Sequence, residues 1–118
     1  MCLDYFLQGM IYNSLKKTAI AKEYKVASSL KDKTFGLLIK KNPRAMLFKT
    51  RFGIHTFFMK EAIDVVVLNN KNYVSAVKKE LVPNKIYFWN PKFNTILELP
   101  FGSLERSKTE VGDRISFS

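Results

Sequence analysis

One cysteine, Cys2, and one histidine, His55, exclude most kinds of site at the outset. A lone cysteine allows no intramolecular disulfide framework and no cysteine-based metal cluster. A lone histidine allows no multi-histidine metal centre within one chain. No metal is therefore expected. No cofactor is expected either, because the five glycines are scattered and form no phosphate-cradling loop. No G-x-S-x-G motif accompanies His55, and Cys2 lies at the chain end, so no nucleophile is evident. No apolar run approaches the roughly twenty residues of a membrane-spanning helix. The opening residues Met1 to Leu7 carry an acid and no basic region, unlike a secretory leader. The expected location is the cytoplasm, or the envelope or exterior if a leader has been removed.

What the chain has in excess is positive charge, a formal +10 over 118 residues. The length suits one domain with one core of ordinary size. Seventeen of the twenty basic residues precede Phe93, and Lys33, Lys40, Lys41, Arg44, Lys49, Arg51 and Lys60 follow one another without an intervening acid. Such a stretch either attracts nucleic acid, anionic lipid or acidic partners, or simply solvates a surface. Arginine, the usual reader of phosphate, is scarce.

Leu3, Phe6, Leu7, Met10 and Ile11 recur at helical spacing, which predicts a short amphipathic helix from Leu3 to Leu15. This gives a helical N-terminal extension over 1–14 ahead of a single β-rich domain over 15–118. Lys17 to Ala27 alternates as a strand. Ser29 with Asp32 forms a capping box for a helix from Leu30 to Ile39, ended by Asn42-Pro43. Ala45 to Phe48 is a short strand, and Val65 to Leu68 is apolar throughout, as in a central strand covered on both sides. Asn69 to Asn72 makes a turn into a paired strand, Tyr73 to Leu81. A proline-bracketed loop then carries Ile86, Tyr87, Phe88 and Trp89. Thr95 to Leu99 is a strand, Gly102-Ser103 opens a short helix, and Arg114 to Phe117 is the last strand. Strands joined by turns predict a mainly β fold, at the margin of α+β. The expected form is a small antiparallel barrel or sandwich with one helix after the first strand and a short one before the last.

Ile54-His55-Thr56-Phe57, then Met59, then Ile63-Asp64-Val65-Val66 closely resembles the signature of the uncharacterised ACR family, domain of unknown function 192. Its core reads roughly IHTFGMRFPIDVVFLD. Gly36-Leu37-Leu38, Ala45 to Phe48, Pro83, Leu97-Glu98-Leu99, Gly102 and Val111-Gly112-Asp113 agree in order, and the resemblance covers about Leu15 to Phe117. It implies a compact, barrel-like β domain with a helix or two, often carried on secreted or envelope proteins, and no established activity. Three places depart from the pattern: Phe58 stands for a glycine, Glu61-Ala62 for an aromatic–proline pair, and Asn69 for an aspartate.

The candidate site gathers around this signature. His55 has the chemistry of a general base and would need an orienting acid. Asp64 is the nearest candidate for that acid along the chain, and otherwise it is a buried clamp on the backbone N–H groups and hydroxyl of the His55-Thr56-Phe57 turn. Glu98 reads as a carboxylate on the outer face, or as a partner of Lys60 or Arg44 across the sheet. Tyr87 and Trp89 either cap a barrel mouth or contact a ligand. The leading expectation is a non-catalytic binding module for an acidic small ligand or protein partner, with His55, Thr56, Lys60, Asp64, Tyr87, Trp89 and Glu98 as candidate contacts. The alternatives are a hydrolase- or isomerase-like enzyme using His55 with Asp64 or Glu98, and weak nucleic-acid or anionic-membrane association through Lys33–Lys60. Oligomeric state is left open.

Overall fold

The strand Ile63–Leu68 buries all six of its side chains, and the rest of the fold is layered on its two faces. A computed structural model of the chain describes residues 7–26, 45–51, 53–57 and 59–118. In chain order the elements are β1 (Leu7–Gln8), β2 (Ile11–Asn13), β3 (Thr18–Ala21), β4 (Tyr24–Val26), β5 (Ala45–Lys49) and β6 (Ile54–His55). There follow β7 (Ile63–Leu68), β8 (Val74–Leu81), β9 (Ile86–Tyr87), β10 (Thr95–Pro100), a short helix α1 (Ser103–Ser107) and β11 (Ile115–Phe117). The fold is mainly β.

Three sheets result: six strands in the order β1-β4-β5-β10-β7-β8, three in the order β11-β2-β3, and the ribbon β6-β9. The expected barrel is not formed among the described residues, because the large sheet ends at β1 and β8 instead of closing. Nor is pairing antiparallel throughout, since β4 and β5 run parallel. A parallel pair cannot be joined by a tight turn, and the residues between β4 and β5, 27–44, lie outside the described residues. The helix expected over Leu30–Ile39, its Ser29–Asp32 capping box and most of the basic stretch fall in that segment, outside the described residues.

The N-terminal helix is also corrected. Over its described part the chain forms β1 and β2, with Ile11 and Asn13 of β2 fully buried. The apolar spacing there fits a helix equally well. The long-range ladder to β11, which joins Ile11 to Phe117 and Asn13 to Ile115, decides for strand.

Alternation along the central strands divides the core in two. Val66 and Leu68 of β7, with Leu97 and Leu99 of β10, meet Ile11, Ile20, Ile115 and Leu104 from the three-stranded sheet and α1. Ile63, Val65 and Val67, with Ile96 and Met46, meet Ile54 of the ribbon, while Tyr87, Trp89 and Phe93 pack against them. The turn between β7 and β8 forms as its asparagines suggest. Asn69 Oδ1 accepts the Lys71 and Tyr73 amides, and Asn72 takes the left-handed conformation at φ 68°. No helix among the described residues is long and apolar enough to cross a membrane.

Candidate functional site

The seven candidate residues fall into three groups. Asp64 and Thr56 are engaged in holding backbone. Asp64 is 1% exposed, and its carboxylate accepts three amides: Glu80 at 3.0 Å through Oδ1, and Gly102 at 3.1 Å and Leu104 at 2.9 Å through Oδ2. Each bond has a local cause. Between Ile63↔Leu81 and Val65↔Lys78 the strand β8 carries one residue more than β7, so the Glu80 N–H faces the Asp64 side chain in place of a ladder carbonyl. Gly102, at φ 95°, begins α1 without a side chain to cap it, and Asp64 supplies the cap from across the sheet. The expected clamp on the His55 turn is therefore a clamp on β8 and α1 instead.

Thr56 clamps the turn. It is fully buried, its hydroxyl donates to Val82 O at 2.7 Å and accepts the Lys85 amide at 2.9 Å. Its own backbone N–H donates to Lys85 O, and its carbonyl accepts the Asn84 and Met59 amides. The polar atoms of this one residue hold the 82–85 turn against β6.

Glu98 is buried too, at 1% exposure, and not on an outer surface as expected. It stands in register with Met46 of β5 and Val65 of β7 and two residues along β10 from Ile96, so it lies on the face that the ribbon covers. Asp64 stands opposite Leu99 and lies on the other face. The sheet thus separates Asp64 from the layer that contains the ribbon.

The third group belongs to that ribbon. Ile54↔Tyr87 and His55↔Ile86 are its registered pairs. Ile54 and Tyr87 point to the core; His55 and Ile86 point away. Tyr87 is half-buried, which pushes its hydroxyl pKa up. Trp89 tilts against it at 5.8 Å and donates Nε1–H to Phe93 O at 2.8 Å. These two rings cover the sheet, as a cap would.

The outward side is a continuous strip. His55 stacks on Phe57 with ring centroids 4.9 Å apart, and its Nδ1 accepts the Phe57 amide at 3.3 Å. Ile86 lies beside His55, and Phe88, two residues further on, lies over Gly53. A Cβ at Gly53, whose φ is 91°, would come within 2.7 Å of the Phe88 ring. Phe57, Ile86 and Phe88 are 38%, 54% and 68% exposed, and Lys60 and Lys85 are exposed as well. Sequence reasoning left Tyr87 and Trp89 either as a cap or as ligand contacts and did not single out Ile86 and Phe88. The signal that could have found them is the two-residue period of Ile86-Tyr87-Phe88-Trp89.

A second polar cluster lay unnoticed in the sequence. Asn13 Nδ2 donates to Asp113 and Thr109, Lys16 Nζ donates to both Asp113 oxygens, and Ser107 bonds Thr109 and the Ser103 carbonyl. Burial pushes the Asp113 carboxyl up, but the bonds from Lys16, Asn13 and the Glu110 amide outweigh it and hold its pKa below the usual aspartate value. The same contact with Asp113 raises the Lys16 pKa. Its donors and acceptors satisfy one another, so the cluster fastens β2 to the segment between α1 and β11. Among the described residues no group of three or more His, Cys, Asp or Glu side chains could hold a metal ion.

A model of a family described as Uncharacterized ACR matches residues 12–117. A UPF0127 protein of Pyrococcus horikoshii is 36% identical over 114 residues, covering 92% of this chain and 98% of its own. A UPF0127 protein of Pyrococcus abyssi is 30% identical over 115 residues, covering 92% and 97%. Among solved structures, a Sinorhizobium meliloti protein provisionally named a transcription regulator superposes with a TM-score of 0.73, over 99% of this chain and 98% of its own, at 14% identity. A Novosphingobium aromaticivorans protein of unknown function superposes with a TM-score of 0.70 over 91% and 81%, at 12% identity. Identities this low speak to the fold alone.

Proposed function

The chain belongs to the Uncharacterized ACR family, defined by sequence and not by an activity, and from that premise we propose that it is a non-catalytic binding module for an acidic ligand or protein partner. The observation that supports this is the division of the family signature between two tasks. Thr56 and Asp64 hold backbone amides and carbonyls, while His55 faces outward with Phe57 and Ile86, and Lys60 and Lys85, close to them in the sequence, are exposed. Exposed cations close in sequence to exposed apolar side chains favour a partner carrying carboxylates. Octaglutamate is a simple probe. Isothermal titration should show at least a tenfold weaker affinity for the Lys60→Glu/Lys85→Glu variant, with unchanged thermal unfolding. Equal affinity would contradict the reading.

The alternative reading is a hydrolase- or isomerase-like enzyme using His55 with Asp64 or Glu98; Glu98 lies on the face of the sheet that the ribbon covers and Asp64 on the other, while His55 points away from the sheet. Diethyl pyrocarbonate acylates imidazole, and His55 is the only histidine. An imidazole activated by Glu98 would react more slowly in the Glu98→Gln variant; equal rates retire Glu98 from this reading.

A further inference from the structure

We infer that the open cavity between the β3–β4 turn, the start of β5 and α1 is a binding site for a small aliphatic carboxylate. This is independent of the binding-module reading above, because no residue of the ribbon lines the cavity.

Size, lining and charge together select the ligand. The cavity has a volume of about 240 Å³, just below the range of about 300–1,000 Å³ that holds drug-sized molecules, so its occupant is smaller than those. Ile20, Ala21, Ala45 and Pro100 line it and suit an aliphatic chain. Lys22 and Arg106 line it too, against a single acid, Glu23. Glu23 has an interaction of its own, and one carboxylate cannot balance two cations. Arg106 is held in place, because its Nη2–H donates to the Ile20 carbonyl at 2.7 Å. A guanidinium carries further donors in a planar fork, the geometry that a carboxylate accepts in pairs. The walls are also set before a ligand arrives. Ser103 Oγ donates to the Pro100 carbonyl at 2.6 Å, Pro100 pairs with Ile63, and Ala45 pairs with Tyr24. Such walls lower the ordering cost of binding. An inorganic phosphate would use the cations and leave the apolar lining wet, whereas an alkylamine would bring the wrong charge.

The test is an amide chemical-shift titration of the full chain with three probes: sodium 4-methylpentanoate, the neutral 4-methylpentanamide and inorganic phosphate. The carboxylate should give saturable shifts at Ala21, Lys22, Ala45, Ser103 and Arg106, and bind at least fivefold more tightly than either other probe. Arg106→Gln should weaken it at least fivefold. Because that change also removes the bond to Ile20, Lys22→Gln serves as a second variant that leaves the bond in place, and it should weaken binding at least twofold. Lys71→Glu, outside the cavity, should not change it. No saturable shifts at those amides, unchanged affinity in both cavity variants, equal affinity for the neutral amide, or tighter binding of phosphate would each overturn the inference. So would weakening by Lys71→Glu equal to that by Lys22→Gln, the sign of general charge attraction.

Discussion

Asp64 shows how one side chain of a signature motif can be indispensable without touching a ligand. A buried carboxylate has two oxygens that only accept, and here they take three amides from two separate elements. Asp64→Asn keeps the size but leaves one oxygen and introduces an N–H₂ group among N–H donors. Stranding one or two buried amides costs about 1–3 kcal/mol each, so urea denaturation should show a loss of about 2–4 kcal/mol. A change under 1 kcal/mol would mean that Asp64 is not the fastener described. From sequence alone the burial of Asp64 was legible, because it enters an all-apolar strand. Its partners were not, since Glu80 and Gly102 meet it only after β8 acquires its extra residue and α1 is placed. Glu98 taught the opposite lesson. Alternation marked it for one face of β10, but sequence could not say that this face is covered.

At the scale of elements, the ribbon β6–β9 depends on a glycine facing a phenylalanine. Gly53 has a φ of 91°, and an added Cβ would meet Phe88 Cδ1 at 2.7 Å and Tyr87 O at 2.9 Å. Gly53→Ala therefore combines backbone strain with displacement of the ring. The backbone term alone costs about 1 kcal/mol or more. Thermal unfolding should show the loss, and octaglutamate binding should weaken because the Phe88 ring is displaced. Stability lost with binding intact would separate the ribbon's packing from its surface. Strands β5, β7, β8, β10 and β11 were legible because their side chains alternate or stay apolar and turn residues bound them. The ribbon was not, because β6 and β9 are only two residues each and each gains its partner from a distant stretch. The N-terminal strands failed for a related reason: apolar residues spaced three and four apart suit a helix until β11 is available to pair with β2.

For the whole molecule, the network around Asp113 joins the early strands to the chain's last segment and makes stability depend on pH. The folded-state pKa of Asp113 lies below its ordinary value. Its contribution is therefore fully present above about pH 4 and is lost as pH falls through the depressed value. For Lys16 the folded pKa is raised, so its share is present at neutral pH and disappears only as pH rises through that value. Unfolding free energy measured from pH 7 to pH 2 should fall more steeply for the parent than for Asp113→Asn, with the variant already less stable at pH 7. Parallel curves would show that the network does not hold the native state. The net charge of +10 acts on a different property, the rate and salt dependence of meeting an anionic partner.

The family signature divides between Thr56 and Asp64, which hold backbone on the two sides of the sheet, and His55 and Phe57, which face a partner. Amide chemical-shift mapping during addition of octaglutamate tests this division most directly. The shifts should centre on His55, Phe57, Lys60, Ile86 and Phe88, and leave Asp64, Glu80, Gly102 and Leu104 unmoved. Shifts centred on Asp64 and the start of α1 would contradict it.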